Sequence, residues 1–590
     1  MNKITQSRLA DLRREMKSAG VNACIIPSCD FHNSEYINDC FKYRAYFSGF
    51  TGSAGTLYVT ENKAFLITDG RYFLQAEKQL KDTEIILVKD GIKDEPDIYK
   101  LIEDSLSDGM TLFADGRLTA QSMYEKILKI ANKNSFNLSI SESPAVKAAV
   151  GMPGQSFSKV KALDISLTGK ESADKIADIR CELEKIQADA HIITSLEEIA
   201  WILNMRGSDI KNTPVFYAYM LITPTEALVF ADTVAMNDVK NELNTAGITL
   251  MHYSDFYDYL GMQSYNNVLC DKNQVNALAV SCLKDAKIVN QCDPAMLAKA
   301  VKNKTEIENL RKVHLFDGLA VARFMHYIKN CKASEETEVS AAEKIRKYRE
   351  KCKDYLGDSF DTISAYGENG AVIHYSPTSE TNTSLSDKGA LLVDSGGQYI
   401  GGTTDITRVF VLGETTEEFK IHYTAVCKAM LRLQSAIFKK GTKCAVLDML
   451  ARGPLWEMGL DYRHGTGHGI GYMLSVHEGP NRFHYANTSP SLLPGMVTSD
   501  EPGMYVAGKH GIRIENEILC VDKFSTEYGE FLGFEPLTVC PIDTDAIIPE
   551  LLDKSDIKAL NEYHSFVYYS LKEIAEPEEL LWLSEYTKPI

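Results

Sequence analysis

The sequence lacks the features of a membrane protein, a secreted protein or a disordered protein. Its first twenty residues hold no apolar run typical of a secretory signal. No uncharged run approaches the roughly 18 residues that a membrane span requires. Tracts of low complexity rich in proline or serine are also missing. We therefore expect a folded cytoplasmic protein with no membrane partner.

Paired cysteines and an excess of basic charge are lacking too. The 13 cysteines include no CxxC pair and no dense cluster, so neither a disulfide framework nor a zinc ribbon is indicated, and reduced thiols are expected. Lys and Arg number 63 against 81 Asp and Glu, a formal net charge of -18. Because nucleic-acid affinity depends on clustered Lys and Arg, we expect no nucleic-acid partner and favour small or peptidic substrates.

Two segments near the start of the chain resemble each other and suggest an internal repeat. Residues 8–28 and 175–195 align so that ADLR matches ADIR and CIIPS matches HIITS. In the first copy Leu9, Leu12 and Met16 recur at helical spacing before a strand-like apolar run. Since helices alternate with short β-branched strands in both copies, we expect two α/β domains of the same architecture.

A third unit is predicted to open near Asp293, and a stretch beginning at Gly151 is interpreted as the linker between the first two domains. Three or more domains also fit a length of 590 residues, at roughly 100 to 200 residues per domain. Thr305 and Glu308 form a T-x-x-E pattern that predicts a capping box before a long helix. One apolar face of that helix carries Ile307, Leu310, Val313, Phe316, Ala320, Phe324 and Ile328.

The candidate chemistry begins with two aspartates in GALLVDSGGQYIGGTTDITRVFVL, a run of strands joined by glycine pairs. On adjacent strands the carboxylates of Asp394 and Asp405 could stand roughly 5 Å apart and hold cations together. Taken alone, Asp beside Gly is more typical of turns.

Three histidines follow in YRHGTGHGIGYMLSVHEGP. The HxxxH spacing of His464 and His468 would indicate zinc on a helix, but four interspersed glycines oppose a helix. One ring can therefore bind metal while the other meets substrate. His477 is the third member of this group.

Two further acidic positions complete the candidate site. Glu501 precedes a Pro-Gly turn, and Glu515 alternates with isoleucines in GIRIENEILCVD. Glu517 is interpreted as a solvated residue of an edge strand. Four carboxylates close together would repel strongly, and two divalent ions would neutralise them. An oxygen-rich site with one imidazole favours Mn²⁺, with Co²⁺ or Fe²⁺ as alternatives, over zinc.

The order D, D, H, E, E with the motifs HGTGHGIG, VHEGP, DEPGMY and GIRIEN resembles the pita-bread metallopeptidases, and among them the aminopeptidase P family. The resemblance implies an α/β and α+β fold, with two creatinase-like N-terminal α/β domains before a pita-bread catalytic domain. The expected boundaries are 1–156, 157–296 and 297–590, the last with a C-terminal extension.

The resemblance also implies residue roles. Asp394 would bind one ion, Asp405 and Glu515 would bridge both, and His468 and Glu501 would bind the other. Glu501 would also handle the proton of a water shared by the ions. The remaining implied site residues are three non-ligand histidines that contact substrate, oxyanion or leaving nitrogen, and two residues that orient Asp394 and cover the site: His374, His464 and His477, then Tyr505 and Arg513.

Arg71, in the motif TDGRY, resembles a first-domain signature of the same peptidases. It either reaches the active site to limit substrate length or forms a salt bridge within its own domain.

The leading hypothesis is a homodimeric hydrolase that cleaves the bond between an N-terminal residue and a following proline, with a hydroxide between the two ions attacking the carbonyl. The first alternative is a prolidase, restricted to X-Pro dipeptides. The others are a non-catalytic peptide- or histone-binding protein of the same fold, disfavoured because all five ligands are present, and creatinase-like amidinohydrolysis, disfavoured by the longer chain.

Overall fold

The protein is described here by a computed structural model that covers residues 2–141, 143–486 and 490–590. The chain divides into two compact units, Met1–Ile165 with Lys170–Ala295, and Ser166–Gly169 with Met296–Ile590. Within the described residues, no helix combines the length and the apolar character needed to cross a bilayer. The domain boundaries expected from the sequence stay a prediction.

The first sheet of the N-terminal unit has six strands. In spatial order they are Ile85–Lys89, Ala64–Thr68, Thr56–Thr60, Ala23–Pro27, Thr111–Ala114 and Asn137–Ser139. The accompanying helices are Asn2–Ser18, Tyr43–Ser48, Phe73–Gln79, Ile98–Ser105, Gln121–Asn134 and Pro144–Ala148. Leu9, Leu12 and Met16 are buried, so the helical face predicted from their spacing is confirmed.

The second sheet of this unit repeats the first. Its strands in spatial order are Thr249–His252, Ala227–Ala231, Ala218–Ile222, Ala190–Ile193, Asn267–Cys270 and Lys287–Asn290. The helices are Ser172–Ile186, Leu196–Ile202, Lys240–Thr245, Phe256–Met262 and Ala277–Cys282. In each sheet, in the order given, the second and third pairings are antiparallel and the first, fourth and fifth are parallel. This shared topology is what the matching sequence segments predict.

Equivalent loops of the two repeats bind each other reciprocally. The N–H of Gln121 donates to the carbonyl of Val275, and the N–H of Ala277 donates to the carbonyl of Thr119, both at 2.9 Å. In one bond the first repeat donates and the second accepts, and in the other bond these roles are reversed. The same reciprocity occurs in the isologous interface of a symmetric dimer. His32 adds a buried contact across the same junction, with Nδ1 2.9 Å from the carbonyl of Thr194.

The second unit is built around a six-stranded antiparallel sheet and a three-stranded sheet. The larger sheet comprises Ile437–Lys439, Gly529–Pro536, Asn516–Thr526, Val497–Asp500, Gly467–Gly469 and Glu478–Phe483. The smaller sheet comprises Ile363–Tyr366, Ala390–Ser395 and Ile406–Val411. Two smaller sheets belong to the same unit. One is a hairpin of Gly503–Val506 with His510–Arg513, and the other comprises Tyr355–Asp358, Gly397–Tyr399 and Gly402–Thr403.

Helices enclose these sheets. They are Pro294–Ala300, Lys304–Asn330, Glu338–Arg349, Glu417–Gln434, Cys444–Trp456, Lys554–Leu571 and Pro577–Tyr586. One core cluster of this unit joins helix residues such as Tyr423 and Val567 to strand residues such as Leu392 and Val409. The C-terminal helices therefore belong to the core that supports the site.

Two details predicted for the long helix, Lys304–Asn330, are wrong. Its N-cap is Asn303, whose side chain accepts from the backbone of Glu306 while the Glu306 carboxylate accepts from the backbone of Asn303. The capping box thus begins two residues earlier than the T-x-x-E pattern suggests, because Asn303 is the last residue before helical geometry begins. Phe316 is 42% exposed, so it does not belong to the buried face.

Candidate active site

The two candidate aspartates are buried, Asp394 on a strand and Asp405 directly before the neighbouring strand. Asp394 is part of Ala390–Ser395 and pairs in register with Thr407 on Ile406–Val411. Asp405 lies directly before that second strand, two residues from Thr407. The antiparallel pairing of these two strands therefore brings both carboxylates to the same region, as the sequence predicts.

His468 faces the carboxylates. The segment Gly467–Gly469 is a strand, so the prediction that its glycines prevent a helix is confirmed. The Nε2 atom of His468 lies 3.6 Å from Asp405 Oδ2 and 3.4 Å from Glu501 Oε1. Nδ1 lies 2.9 Å from the carbonyl of Gly469, and because a carbonyl only accepts, Nδ1 carries the proton. This tautomer leaves the Nε2 lone pair directed at the carboxylates.

The buried carboxylates destabilise one another without a cation. Burial, followed by repulsion from Glu515, raises the pKa of Asp405 well above its usual value. Burial, followed by repulsion from Glu501, does the same to the pKa of Glu515. Burial also raises the pKa of Glu501 to about 7, with Arg513 opposing the shift and Asp394 adding to it. Positive charge inside this cluster would relieve these penalties.

The donor atoms fit metal ions. One ligand atom each from Asp405, His468 and Glu515 lies within 4.8 Å of the others. Asp394 Oδ1 is buried and has no hydrogen-bond partner among the described residues. A buried carboxylate oxygen of this kind is costly unless an ion takes the place of the missing donor. The residues present therefore suit divalent cations with oxygen-rich coordination.

Arg513 and Tyr505 form the support predicted for Asp394. The guanidinium of Arg513 donates from Nη2 to Asp394 Oδ2 and from Nη1 to the Tyr505 hydroxyl, the latter at 2.7 Å. Its Nε donates to the Thr407 hydroxyl at 3.2 Å, and that hydroxyl donates to Glu515 Oε2 at 2.8 Å. One arginine thus orients Asp394 directly and Glu515 through Thr407.

The three other histidines occupy different positions. The ring of His477 lies 4.2 Å, centroid to centroid, from that of His468. His464 Nε2 lies 3.0 Å from the Tyr505 hydroxyl. His374 is half-buried and precedes Tyr375, whose hydroxyl donates to Glu338 at 2.8 Å. His464 and His477 therefore adjoin the carboxylate cluster or its support, and Tyr375 anchors the segment that carries His374.

Arg71 belongs to the N-terminal unit and forms a bidentate ion pair with Asp69. Nε donates to Oδ1 at 2.9 Å and Nη2 donates to Oδ2 at 2.8 Å. The two residues are separated by only one position, so the pair stiffens the turn after the strand Ala64–Thr68.

The interpretation of Glu517 as a solvated edge residue is wrong. Its strand, Asn516–Thr526, lies between Gly529–Pro536 and Val497–Asp500, and its side chain is 0% exposed. Glu517 Oε1 accepts the N–H of Asp405 at 2.7 Å. The signal that could have revealed it is the alternation that places it on the same face as Glu515.

Asp448 and Arg452 are further residues that the sequence analysis missed. Both are buried on the helix Cys444–Trp456 and bind each other at 2.8 Å. Arg452 Nη2 donates to the carbonyl of His464 at 2.7 Å, and Asp448 Oδ1 accepts from the Thr466 hydroxyl. An acid and a base four residues apart inside an apolar helix were the available signal.

The arrangement can carry out hydrolysis at a carbonyl group. Two divalent ions held by these residues would polarise the carbonyl and lower the pKa of a water molecule. Glu501, whose Oε1 lies 3.4 Å from His468 Nε2, is a carboxylate within the cluster that can accept a proton and return it. His477, beside His468, can donate to an oxygen that gains negative charge. Burial of the carboxylates keeps these interactions strong, because competing water is scarce.

Models of known protein families match four segments that together cover most of the chain. Residues 308–522 match the model of metallopeptidase family M24, and residues 530–590 match the C-terminal region of that family. Residues 8–140 and 151–306 match two models of the creatinase/prolidase N-terminal domain. The predicted fold class, two creatinase-like domains before a pita-bread catalytic domain, is confirmed.

Two relatives and two solved structures illustrate the similarity. Probable Xaa-Pro aminopeptidase P of Laccaria bicolor is 38% identical, covering 99% of this chain and 94% of the relative. Its counterpart from Botryotinia fuckeliana is 40% identical, with 99% and 93% coverage. A crystal structure of X-prolyl aminopeptidase from Caenorhabditis elegans, described as a cytosolic enzyme with a di-nuclear active site, superimposes with a TM-score of 0.95 at 31% identity, covering 99% of this chain and 100% of that one.

The prolidase of Pyrococcus horikoshii shares the fold over 62% of this chain and 99% of its own, with a TM-score of 0.51 at 23% identity. The full-length similarity, by contrast, is to aminopeptidases of the P type. The chain therefore belongs to metallopeptidase family M24 and, within it, to the Xaa-Pro aminopeptidase P family.

Proposed function

We propose that the protein is a two-metal aminopeptidase that hydrolyses the bond between an N-terminal residue and a following proline. The observation that carries the proposal is the buried donor set of four carboxylates and one imidazole, in which Asp394 Oδ1 has no hydrogen-bond partner among the described residues. Full-length similarity to Xaa-Pro aminopeptidases supports the substrate class.

Each ligand has a proposed role that its contacts support. Asp394 binds one ion, Asp405 and Glu515 bridge the two, and His468 and Glu501 bind the other. His468 lies within 3.6 Å of both Asp405 and Glu501, which supports their assignment to one coordination sphere.

The substrate-facing roles go to the histidines that do not ligate. His374, His464 and His477 contact the substrate carbonyl or its oxyanion and supply the proton that the departing proline nitrogen needs. For Arg71, a role in limiting substrate length stays a prediction, and its ion pair with Asp69 favours the alternative of a salt bridge within the first domain.

A comparison of three peptides tests the activity. Arg-Pro-Pro, Gly-Pro and Arg-Ala-Ala are each incubated with Mn²⁺-loaded protein, and products are separated by mass. Cleavage of Arg-Pro-Pro with little action on Arg-Ala-Ala is expected. Cleavage of Gly-Pro alone would identify a prolidase instead, and no cleavage of any peptide would support a non-catalytic protein.

Manganese is the proposed metal, because four carboxylates and one imidazole form a hard, oxygen-rich donor set. Chelation followed by dialysis should abolish hydrolysis of Arg-Pro-Pro. Mn²⁺ should then restore the rate better than Zn²⁺ at equal occupancy, as measured by elemental analysis. An enzyme that keeps full activity with both ions removed would contradict the two-metal assignment.

A second copy of the chain is the proposed partner, and the cytoplasm the proposed location. The helix Cys444–Trp456 turns an apolar row toward solvent, with exposures between 37% and 60%: Val446, Met449, Leu450 and Trp456. Such a row is typical of an interface. Sedimentation should give a dimer for the natural sequence and a monomer for Val446→Glu with Met449→Glu, whereas the exposed-site control Val234→Glu should remain a dimer. Cell fractionation tests the location.

A further inference from the structure

The Glu517 carboxylate joins a proposed metal ligand to the long helix. Oε1 accepts the backbone N–H of Asp405 at 2.7 Å, and Oε2 lies 3.1 Å from Nε2 of His314 on the helix Lys304–Asn330. His314 Nδ1 lies 2.8 Å from the carbonyl of Leu310, one turn earlier on that helix. His314 Nδ1 therefore donates to the helix backbone, and Nε2 lies at ion-pair distance from a carboxylate oxygen that has no hydrogen-bond partner among the described residues.

Asp405 depends on this contact because its backbone lies outside any strand. The flanking strands are Gly402–Thr403 and Ile406–Val411, and Asp405 falls between them. Its N–H therefore has no partner in a strand ladder, and the Glu517 carboxylate takes that place. A backbone N–H buried in such a position must be paired to avoid a desolvation penalty.

Glu517 is itself held rigidly. Its N–H donates to the Thr538 hydroxyl and its carbonyl accepts from the N–H of Leu537, both at 2.8 Å. Two residues earlier on the same segment, the N–H of Glu515 donates to the carbonyl of Thr407 at 3.1 Å. The segment 515–517 therefore binds the neighbouring chain at two points. The Glu517 carboxylate binds the N–H of Asp405, and the N–H of Glu515 binds the carbonyl of Thr407.

We propose that Glu517 is a positioning residue that sets the separation between the carboxylates of Asp405 and Glu515, with His314 holding Glu517 in place. The proposal rests on the proposed function, in which Asp405 and Glu515 bridge the two ions. Bridging requires two oxygens at fixed separation, so a small displacement of Asp405 weakens the binding of both ions. Loss of an outer contact of this type typically costs roughly 10- to 100-fold in metal affinity.

Two conservative variants separate shape from charge. Glu517→Gln keeps the length and an oxygen that accepts from Asp405, and its amide can donate to a neutral His314. Glu517→Asp keeps the charge but is one methylene too short to reach both partners. We expect the Gln variant to bind ions within about 3-fold of the natural protein and the Asp variant to bind them roughly 10- to 100-fold more weakly.

The measurement is a calorimetric titration of Mn²⁺ into the full-length, metal-free protein, with circular dichroism to verify folding. Asp543→Ala is the matched control. Asp543 is also a buried carboxylate that accepts a backbone N–H from the strand Ile406–Val411, at Val411 with 2.9 Å, and pairs with Lys329 on the same long helix. The Asp543→Ala variant should have a lower unfolding midpoint and an unchanged affinity for Mn²⁺.

Other outcomes are equally informative. An Asp variant with the affinity of the natural protein, or a Gln variant as impaired as the Asp variant, would overturn the positioning role. If Asp543→Ala weakened Mn²⁺ binding as much as Glu517→Asp, loss of any buried carboxylate contact would have the same effect, and the positioning role would also be overturned. Failure of the natural protein itself to bind two ions would instead contradict the proposed function, before any variant is compared.

Discussion

The Nε2 atom of His464 lies 3.0 Å from the hydroxyl oxygen of Tyr505. Tyr505 already accepts from Arg513, so its own proton is available for Nε2. His464 Nδ1 donates to the carbonyl of Gly465 at 2.7 Å. The Nε2 lone pair is therefore engaged by a hydroxyl, whereas that of His468 faces Asp405 and Glu501.

This difference predicts distinct results for the two histidines of the HxxxH pair. His468→Ala should lose metal and activity together. His464→Ala should keep both ions, because its Nε2 meets the Tyr505 hydroxyl and not the carboxylates, and it should lose roughly 10²-fold in kcat, because the proton shared by Tyr505 and His464 no longer reaches the substrate. Elemental analysis of the purified variants, beside their kcat values, makes the comparison. Loss of an ion from His464→Ala would refute the assignment of His464 to substrate.

Removal of the Tyr505 hydroxyl should uncouple His464 from Arg513. Tyr505→Phe keeps the ring and both ions but loses two hydrogen bonds, so we expect a fall in kcat of about 10-fold, equivalent to about 1.4 kcal/mol. Tyr528→Phe, at a 71% exposed tyrosine, is the control and should be unchanged. Steady-state kinetics with Arg-Pro-Pro measures both, and an unchanged Tyr505→Phe would show that the hydroxyl has no part in placing His464.

Loss of Arg452 should destabilise the catalytic unit strongly. Arg452→Met leaves the fully buried Asp448 without its positively charged partner, which costs about 3 to 5 kcal/mol in unfolding free energy. Arg311→Met is the control, because it removes an exposed bidentate pair with Glu535 that contributes at most about 1 kcal/mol. Urea denaturation measures the free energy of unfolding of both variants. Equal losses of this free energy would show that the buried ion pair stabilises the protein no more than the exposed one.

The buried His32 predicts a pH dependence of stability. Burial lowers its pKa from 6.5 to about 3, so the folded protein keeps the ring neutral while the unfolded chain protonates it below pH 6.5. Its contribution is complete above that pH and falls as the pH decreases toward 3, by about 1.4 kcal/mol per unit.

His32→Gln removes this titration. Calorimetric unfolding from pH 7.5 to 5 should therefore show the midpoint of the natural protein falling more steeply than that of the variant. Parallel curves would mean that His32 titrates alike in the folded and unfolded states.

The sequence by itself determined the composition of the site. The order and types of the candidate ligands, and the glycines that exclude a helix between His464 and His468, are local properties that spacing and propensity report. The repeat was equally visible, because residues 8–28 and 175–195 use the same helix and strand pattern for the same sheet position.

Only the tertiary structure decided which polar residues support the ligands. Whether Glu517 is solvated depends on strands contributed by residues 497–500 and 529–536, and on a helix that places His314 against it. These partners lie up to 203 positions away along the chain. The alternation of polar and apolar residues along a strand is the same whether the strand lies at the edge or in the interior of a sheet. Burial is a property of the packed neighbours, so no local pattern could assign it.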